Sequence, residues 1–449
     1  MQVFETIIPL TGWQQAIFIG VCVWIIAAAH PEVGLAMYLS IASWTRGFLI
    51  ASVAQFWILL AVMGLATLRL ILFGQVKPFV LPPHKRGVLA WLAIWWAWMI
   101  ILCFFFLPFF DQAQWSDLYK NTILYTLIPM PLILFLPKEI NRVVYFAVAY
   151  ILTSMIGGMF AVMMLNIPFS YLLADPTSIT KRAFALGISN YHWFAYQFAI
   201  SLTFIFALSV YMKNILVRAG LILPALLCVY FLILSSSRQS ILGCAIALLF
   251  CFIWVEFSDK GAHRFWIVAL VAIVLFSAYW LVEQAPSVLR IGSSSSGSLP
   301  DIALLQDIIQ KRSAVSWQLG LNLFPESPIW GLGFSQYSVS HNLFLGTIVD
   351  QGIVGLVFLL GFLTFWFGEA RLAWKTTEQP GLKTWKLAMV AIMVFVLVQS
   401  QFSGNPLSEW AMWWSTAFLW CLNGLDVHIE EQEQVEPVRE RYTRLIRYR

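Results

Sequence analysis

The residues best suited to chemistry are cations that border apolar segments, and Arg238 is the clearest of them. It lies within Ser-Ser-Ser-Arg-Gln-Ser, a polar corner at 235–240 between two apolar runs. A guanidinium group can donate two parallel hydrogen bonds to a phosphate, and nearby hydroxyl groups and helix N-terminal amides add donors. The alternative is an arginine at a helix end that pairs with lipid headgroups. We favour a catalytic, phosphate-binding role for Arg238.

Four more basic residues border apolar segments on the same predicted side of a membrane: Lys181, Arg182, Lys311 and Arg312. A cation in such a place is costly without an anionic partner. Lys181 and Arg182 can bind a second phosphate oxygen, or they can pair with lipid headgroups. Lys311 and Arg312 can line an entrance for a lipid phosphate, or they can form a solvated charge pair with Asp307. We include all four among the predicted donor-binding residues.

His341 is the second candidate catalytic residue, and we expect it in the first turn of the apolar helix that follows. At about 100° per residue, its face of the helix would also carry Leu345, Ile348, Gly352 and Gly355. Small residues on that face let another helix approach, so His341 would point into the bundle. An imidazole there can take a proton from an acceptor hydroxyl or donate to a phosphate oxygen. The alternative is a histidine that only satisfies a helix end.

Asp350 is an acid inside the same apolar segment, which makes it a candidate functional residue. On a straight helix it would lie about half a turn around from His341 and roughly 13 Å deeper, too far for a direct pair. We therefore assign Asp350 a structural contact with another helix. The residues predicted to have structural or secondary roles are Asn190, His192, Asn342, Asp350, Gly352 and Gly355.

The elements that position these residues are predicted to be transmembrane helices. The chain has 449 residues, 60% hydrophobic and 11% charged, with a mean hydropathy of +0.80. A soluble domain carries roughly a quarter charged residues, so a soluble protein is excluded. Apolar runs long enough to cross a bilayer predict an all-α polytopic protein with about 12 transmembrane helices (roughly 11–13). The predicted spans are 12–45, 48–74, 88–110, 119–136, 142–165, 190–211, 219–237, 239–256, 265–283, 342–368, 385–401 and 408–424.

The first predicted span is interrupted by His30-Pro31, so it is either one kinked helix or two short ones. Basic residues in alternate short loops place those loops and the C-terminus in the cytoplasm. Residues 1–424 then form a single transmembrane domain, and 425–449 form a charged cytoplasmic tail. The long loop 284–341 lies on the extracytoplasmic side and contains an amphipathic helix, 302–323, with Ser298 as its N-cap.

Several kinds of site are not indicated by the sequence. The six cysteines lie in or beside apolar runs without a Cys-x-x-Cys motif, which predicts neither disulfides nor a cysteine metal site. No carboxylate cluster suits a divalent metal on the outer side, and no glycine-rich nucleotide loop follows a strand. We therefore expect no metal, no cofactor and no nucleic acid partner. The N-terminus lacks a basic start and a cleavage site, so no removable signal peptide is expected.

These residues together resemble the O-antigen ligase and polymerase superfamily of bacterial cell-surface glycan enzymes. The resemblance spans roughly 180–367, and its segments are Arg182 with Gly187 and Asn190, the corner at Arg238, 328–334 (Pro-Ile-Trp-Gly-Leu-Gly-Phe), 340–345 (Ser-His-Asn-Leu-Phe-Leu) and 350–356 (Asp-Gln-Gly-Ile-Val-Gly-Leu). Asp350 stands where many relatives carry Glu, which keeps the charge. Some ligases carry arginine-rich clusters in the long loop that this chain lacks, which weakens a specific ligase assignment.

The resemblance implies an inverting, metal-independent glycosyltransferase of the C type in the bacterial inner membrane, with its active site facing the periplasm. The donor would be a glycan on polyprenyl (undecaprenyl) diphosphate, and the acceptor would be lipid A–core for a ligase or a lipid-linked repeat for a polymerase. Membrane lipids are further expected partners. Arg182, Arg238 and Arg312 would stabilise the departing diphosphate in place of a metal. His341 would orient or deprotonate the acceptor hydroxyl, or contact a phosphate.

Two other functions are compatible with a chain of this composition. A transporter or flippase of lipid-linked sugars would need charges in several span centres, where the sequence offers mainly Asp350. A non-catalytic scaffold of an envelope assembly would need none of the cations near the membrane surface. Glycan transfer is the function that the cations favour.

Overall fold

The computed structural model describes residues 30–41, 64, 68, 72, 86–106, 133, 140–164, 191–235, 237–258, 317–333, 342–375, 380–403 and 411–425. All regular structure in these ranges is helical. The helices are α1 (Pro31–Ile41), α2 (Arg86–Phe106), α3 (Ile140–Met164), α4 (Tyr191–Tyr211), α5 (Ile215–Gly220), α6 (Ile222–Leu234), α7 (Arg238–Ser258), α8 (Gln318–Leu323), the 3-10 turn Phe324–Glu326, α9 (Leu343–Lys375), α10 (Pro380–Ser403) and α11 (411–425).

Five helical segments within these ranges are long and apolar enough to cross a bilayer: Ile140–Met159, Phe194–Tyr211, Ile215–Leu234, Leu343–Lys375 and Gly381–Gln401. Two more apolar helices, Gly87–Leu102 and Gln239–Ile253, are shorter. The prediction of an all-helical polytopic membrane protein is thereby confirmed in its general form. The predicted span 265–283 and most of 48–74 and 119–136 lie outside the described residues, so the total of twelve spans stays a prediction.

The helices pack around α4 and α10, whose apolar residues are buried on nearly every side. Between helices in lipid there is no hydrophobic driving force, so close packing of side chains must hold them together. Aromatic rings supply much of that packing: Phe146 of α3 lies 4.6 Å from Phe418 and 5.7 Å from Trp414 of α11, measured between ring centroids. Phe204 of α4 joins the same group, at 5.9 Å from Phe146. The described cysteines (Cys228, Cys244, Cys251 and Cys421) are buried and unpaired by disulfides.

The helix start at Pro31 matches the break that the sequence predicts at His30-Pro31. A partly buried ion pair fixes α1 beside α3 at this point, because Arg142 donates to the Glu32 carboxylate at 3.0 Å. His30 lies 3.2 Å from the same carboxylate oxygen through Nδ1. Glu32 is fully buried, so its charge depends on these partners.

Candidate functional site

Helix α9 is discontinuous, and the break lies at Gly352. This residue has φ +68° and ψ −169°, a backbone conformation outside the helical region. The break lies nine residues beyond Leu343, which is about 13 Å along the helix axis. A break at such a depth frees backbone hydrogen-bonding groups that lipid cannot satisfy. The sequence analysis assumed a straight helix here, and that assumption was wrong.

The segment 327–333, which we call the wedge loop, satisfies the groups that the break frees. Its Leu332 and Gly333 amides donate to the carbonyls of Val349 and Asp350 at 2.8 and 3.0 Å. In return, the Ile353 amide donates to the Pro328 carbonyl at 2.9 Å. The wedge loop therefore pairs with both halves of α9 and fixes the angle between them.

Two glycines make this backbone pairing sterically possible. A Cβ atom on Gly352 would overlap the Ile329 carbonyl, and one on Gly331 would overlap the Asp350 carbonyl. Both glycines also have positive φ, +68° for Gly352 and +79° for Gly331, which side-chain-bearing residues rarely adopt. The glycines of the two motifs at 328–334 and 350–356 thus fit against each other. The proposed reason for Gly352, room for another helix, is replaced by room for the wedge loop.

Helix α2 supports the broken helix with tryptophans spaced along one face. Trp91 donates to the Phe358 carbonyl at 3.1 Å, and Trp95 donates to the buried Gln351 side chain at 3.0 Å. One turn further, the ring of Trp98 lies 5.4 Å from that of Trp330 in the wedge loop. The spacing of four and then three residues keeps all three rings on the face that meets α9.

Asp350 and Gln351, the two residues before the break, are buried. Gln351 Oε1 accepts the Trp95 hydrogen bond, but its Nε2 group has no partner in the described part of the chain. Gly355 brings the next turn close to the same side chain, because a Cβ there would overlap Gln351 Cβ. The structural roles predicted for Asp350, Gly352 and Gly355 are therefore compatible with their positions at the break.

Helix α9 begins at Leu343, with Asn342 as its N-cap. The Asn342 side-chain oxygen accepts the Phe344 and Leu345 amides, both at 3.0 Å. Position 341 consequently precedes the helix. The described helix therefore begins two residues after His341. His341 itself lies outside the described residues, so its place on a face with Gly352 and Gly355 stays a prediction.

The Asn342 side chain also reaches a neighbouring helix. Its amide nitrogen lies 3.3 Å from Gln401 Oε1, close to the end of α10. Gln401 in turn donates through Nε2 to the Leu397 carbonyl of its own helix, at 3.1 Å. Since Gln401 is held by its own helix, this contact ties the start of α9 to the last turns of α10.

The polar corner at 235–240 meets the same end of α10. Arg238 is the first residue of α7, and Ser235, Ser237 and Ser240 are buried. Ser237 and Ser240 share a hydrogen bond of 2.9 Å between their hydroxyl groups, and Ser240 donates to Gln399 Oε1 at 3.4 Å. The corner is therefore a fixed turn packed against α10.

The structure thus brings the starts of α7 and α9, next to Arg238 and His341, to one end of α10. Side chains of both residues lie outside the description, as does the side chain of His192, whose backbone belongs to α4. The remaining predicted residues that lie outside the described ranges are Lys181, Arg182, Asn190, Lys311 and Arg312. No group of three or more metal-ligating side chains occurs in the described ranges.

Sequence reasoning missed the two glutamines of α10 and the tryptophan face of α2. Gln399 and Gln401 flank Ser400 at the end of an apolar run, and such a polar end resembles an ordinary membrane boundary. The tryptophans of α2 look like interfacial anchors of the kind common in membrane proteins. Only their hydrogen bonds to α9 distinguish them from anchors.

Comparison with known proteins gives one family match. Residues 223–360 match the family model described as O-antigen ligase, a range that includes the polar corner, the wedge loop and the break in α9. None of the curated proteins compared with the chain matches it. This match over residues 223–360 supports the resemblance to the O-antigen ligase and polymerase superfamily that the sequence motifs indicate.

Proposed function

We propose that this protein transfers a glycan from a polyprenyl (undecaprenyl) diphosphate donor to an acceptor hydroxyl at the periplasmic face of the bacterial inner membrane. The family match supports glycan transfer of the O-antigen ligase and polymerase type in general. It also implies a lipid-linked glycan substrate and a glycan acceptor. The transfer would be inverting, independent of metal and without a cofactor, as O-antigen or exopolysaccharide polymerase or as ligase to lipid A–core.

The observation that carries the proposal is the meeting of two helix starts at one end of α10. Arg238 begins α7, and His341 stands one residue before the N-cap of α9. Helix N-termini carry partial positive charge and free amides, which favour an anion nearby. A diphosphate held between the two starts would meet the guanidinium group of Arg238 and the imidazole of His341.

The positive charges have a direct chemical role in such a reaction. The bond between the sugar and the diphosphate breaks as negative charge develops on the leaving oxygen, and guanidinium donors stabilise that charge. Arg238 is the residue proposed for this step, with Arg182, Arg312, Lys181 and Lys311 completing the donor-binding set. Because the diphosphate leaves readily once its charge is held, the acceptor hydroxyl needs only a weak base, which His341 can supply.

The orientation follows the rule that basic loops stay in the cytoplasm. Lys213 and Arg218 lie between α4 and α6, and Arg371, Lys375 and Lys383 lie around the connection from α9 to α10. With these loops inside, the starts of α7 and α9 face the periplasm, where a lipid-linked glycan would be used. The C-terminus then lies in the cytoplasm.

A transporter or flippase of lipid-linked sugars is the second candidate, because broken helices are typical of transporter substrate sites. In transporters the freed backbone groups bind the substrate or a coupling ion. Here the wedge loop binds the carbonyls of Val349 and Asp350 and the amide of Ile353. With those groups already paired, the break serves structure, and transfer remains the better-supported function.

The test is to replace Arg238 or His341 with Ala in the host cell and to measure surface glycan. Loss of surface glycan with unchanged protein in the membrane is expected for both variants. Arg371→Ala is the matched control, because Arg371 is an exposed arginine at the other end of α9. Full surface glycan in both site variants would contradict the proposal.

The lipid-linked donor that accumulates in a deletion strain separates the two candidates. Accumulation in the outer leaflet indicates transfer, and accumulation in the inner leaflet indicates transport. The glycan made by the same strain distinguishes the kinds of transfer. Single capped repeats indicate a missing polymerase, whereas polymer that is not attached to lipid A–core indicates a missing ligase.

A further inference from the structure

We infer that the last turns of α10 are a positioning element for the transfer site, acting through Gln399 and Gln401. The inference rests on the proposed function and extends it to residues outside the matched range 223–360. Gln399 accepts a hydrogen bond from Ser240 of α7, and Gln401 accepts one from Asn342 at the start of α9. Neither glutamine is a catalytic residue, because each acts through the helix that it holds.

The two glutamines point to different neighbours because of their spacing. Residues two apart on a helix lie about 200° apart around its axis. The side of α10 that carries Gln399 therefore meets α7, while nearly the opposite side meets α9. The thickness of α10 consequently contributes to the separation between the start of α7 and the start of α9.

The contact on the α7 side is close and well packed. Gly243 of α7 lies against Phe395 of α10, so that an added Cβ would come within 3.2 Å of the Phe395 carbonyl oxygen. Tyr196 of α4 packs on the same ring at 5.0 Å between centroids. Ser240, Gln399 and Ser400 are buried beyond this contact. The α7 side is therefore held by packing as well as by the Gln399 hydrogen bond.

The contact between α10 and α9 depends more on a single hydrogen bond, between Asn342 and Gln401, than the contact between α10 and α7 does. Asn342 is partly exposed, and its side chain serves two purposes: the oxygen caps α9, and the nitrogen donates to Gln401. Because Gln401 is fixed to Leu397, the pair restrains where α9 begins. The wedge loop is joined to α9 by a separate hydrogen bond, from the Gly333 amide to the Asp350 carbonyl. Loss of the Asn342–Gln401 hydrogen bond would release the start of α9 from α10.

This geometry predicts an effect on turnover and little effect on donor affinity. Of the two helix starts that flank the diphosphate, the start of α7 with the guanidinium group of Arg238 is proposed to supply most of the donor affinity, and it lies on the packed side of α10. The acceptor hydroxyl is proposed to meet His341, on the side that the Asn342–Gln401 bond restrains. A misplacement of about 1 Å of a reacting group can cost a large factor in rate.

The test uses two variants that remove the same hydrogen bond from opposite sides. Asn342→Ser keeps an oxygen that can cap α9 but is too short to reach Gln401. Gln401→Met has a similar length and neither polar atom. Each variant and the double variant are purified in nanodiscs with donor lipid and acceptor extracted from a strain that lacks the protein. The rate of polyprenyl diphosphate release and the temperature of unfolding are measured.

We expect each single variant to lower kcat about tenfold and to change the donor KM by less than about twofold. The double variant should lose no more than either single variant, because both delete one bond. Ser415→Ala is the control, since it removes a buried hydroxyl whose hydrogen bond among the described residues goes to the Met412 carbonyl of its own helix. The unfolding temperatures of all variants should stay near that of the control.

Unchanged kcat in either single variant overturns the inference, and so do losses that add in the double variant. Losses that follow the unfolding temperature also overturn it, because they indicate a purely structural role. A wild-type protein that releases no polyprenyl diphosphate overturns the proposed function itself, and with it this inference. That outcome is seen before any variant is compared, so the two failures are distinguishable.

Discussion

Replacement of Gly352 by Ala tests the break in α9 directly. The backbone at this position lies in a region that is essentially restricted to glycine, and forcing a side-chain-bearing residue into it costs about 1–3 kcal/mol. The new Cβ would also overlap the Ile329 carbonyl, so the wedge loop must move away. If the movement breaks two of the backbone hydrogen bonds between 327–333 and α9, a further ~1–3 kcal/mol is lost.

The sum, about 2–6 kcal/mol, is large against the ~5–15 kcal/mol that stabilises a typical folded protein. We expect the Gly352→Ala protein in detergent to unfold about 2–6 °C below the wild type, because a chain of 449 residues loses about 1 °C per kcal/mol. We also expect loss of surface glycan, because the Gly333–Asp350 hydrogen bond anchors the segment that leads to His341. Thermal unfolding of purified protein and glycan analysis of complemented cells measure the two effects.

Gly368→Ala is the matched control, because Gly368 lies in the same helix with open space where its Cβ would stand. Alanine is the better helix former by about 1 kcal/mol, so this control should be neutral or slightly stabilising. Equal unfolding temperatures for Gly352→Ala and Gly368→Ala would refute the account of the wedge loop given above.

Two further predictions concern buried polar contacts. Trp95→Phe removes the donor to Gln351 and leaves both polar atoms of that buried side chain without partners among the described residues. We therefore expect the variant to lose about 1–3 kcal/mol of stability, measured by thermal unfolding. The control is Thr364→Ala, which removes an exposed hydroxyl of α9. For the ion pair of α1 and α3, Arg142→Gln should destabilise more than Glu32→Gln, because Glu32 is 0% exposed while Arg142 is 27% exposed and can still reach polar groups. Thermal unfolding of the two variants compares these losses of stability. A larger loss in Glu32→Gln would show that groups other than Arg142 stabilise the Glu32 carboxylate.

The cap of α9 shows how far sequence patterns reach. The sequence places a helix directly after His341, and the structure begins that helix at Leu343. A shift of one residue is small for an element boundary. Its consequence for the site is large, because each helical residue turns a side chain by about 100°. The face predicted for His341 therefore depends on where this helix begins.

The wedge loop shows the opposite situation, in which the residues were identified but their arrangement was not. The motifs at 328–334 and 350–356 were recognised from the resemblance, and their glycines were expected to permit a close approach. That each glycine faces the backbone of the other motif could not be predicted. The pairing of two segments about twenty residues apart depends on how the intervening chain folds back. The conformational preferences of the individual residues do not specify that path.

The sequence by itself determined the class of this protein, because the cost of moving charge into lipid makes composition and apolar run length decisive. It also indicated that a helix begins at Pro31, since proline lacks the amide that would continue a preceding helix. Only the tertiary structure decided that α9 is interrupted at Gly352 and that α10 contacts the starts of both α7 and α9. Those features depend on hydrogen bonds between residues far apart in the chain, such as Ser240 with Gln399, and such bonds form only once the helices have packed.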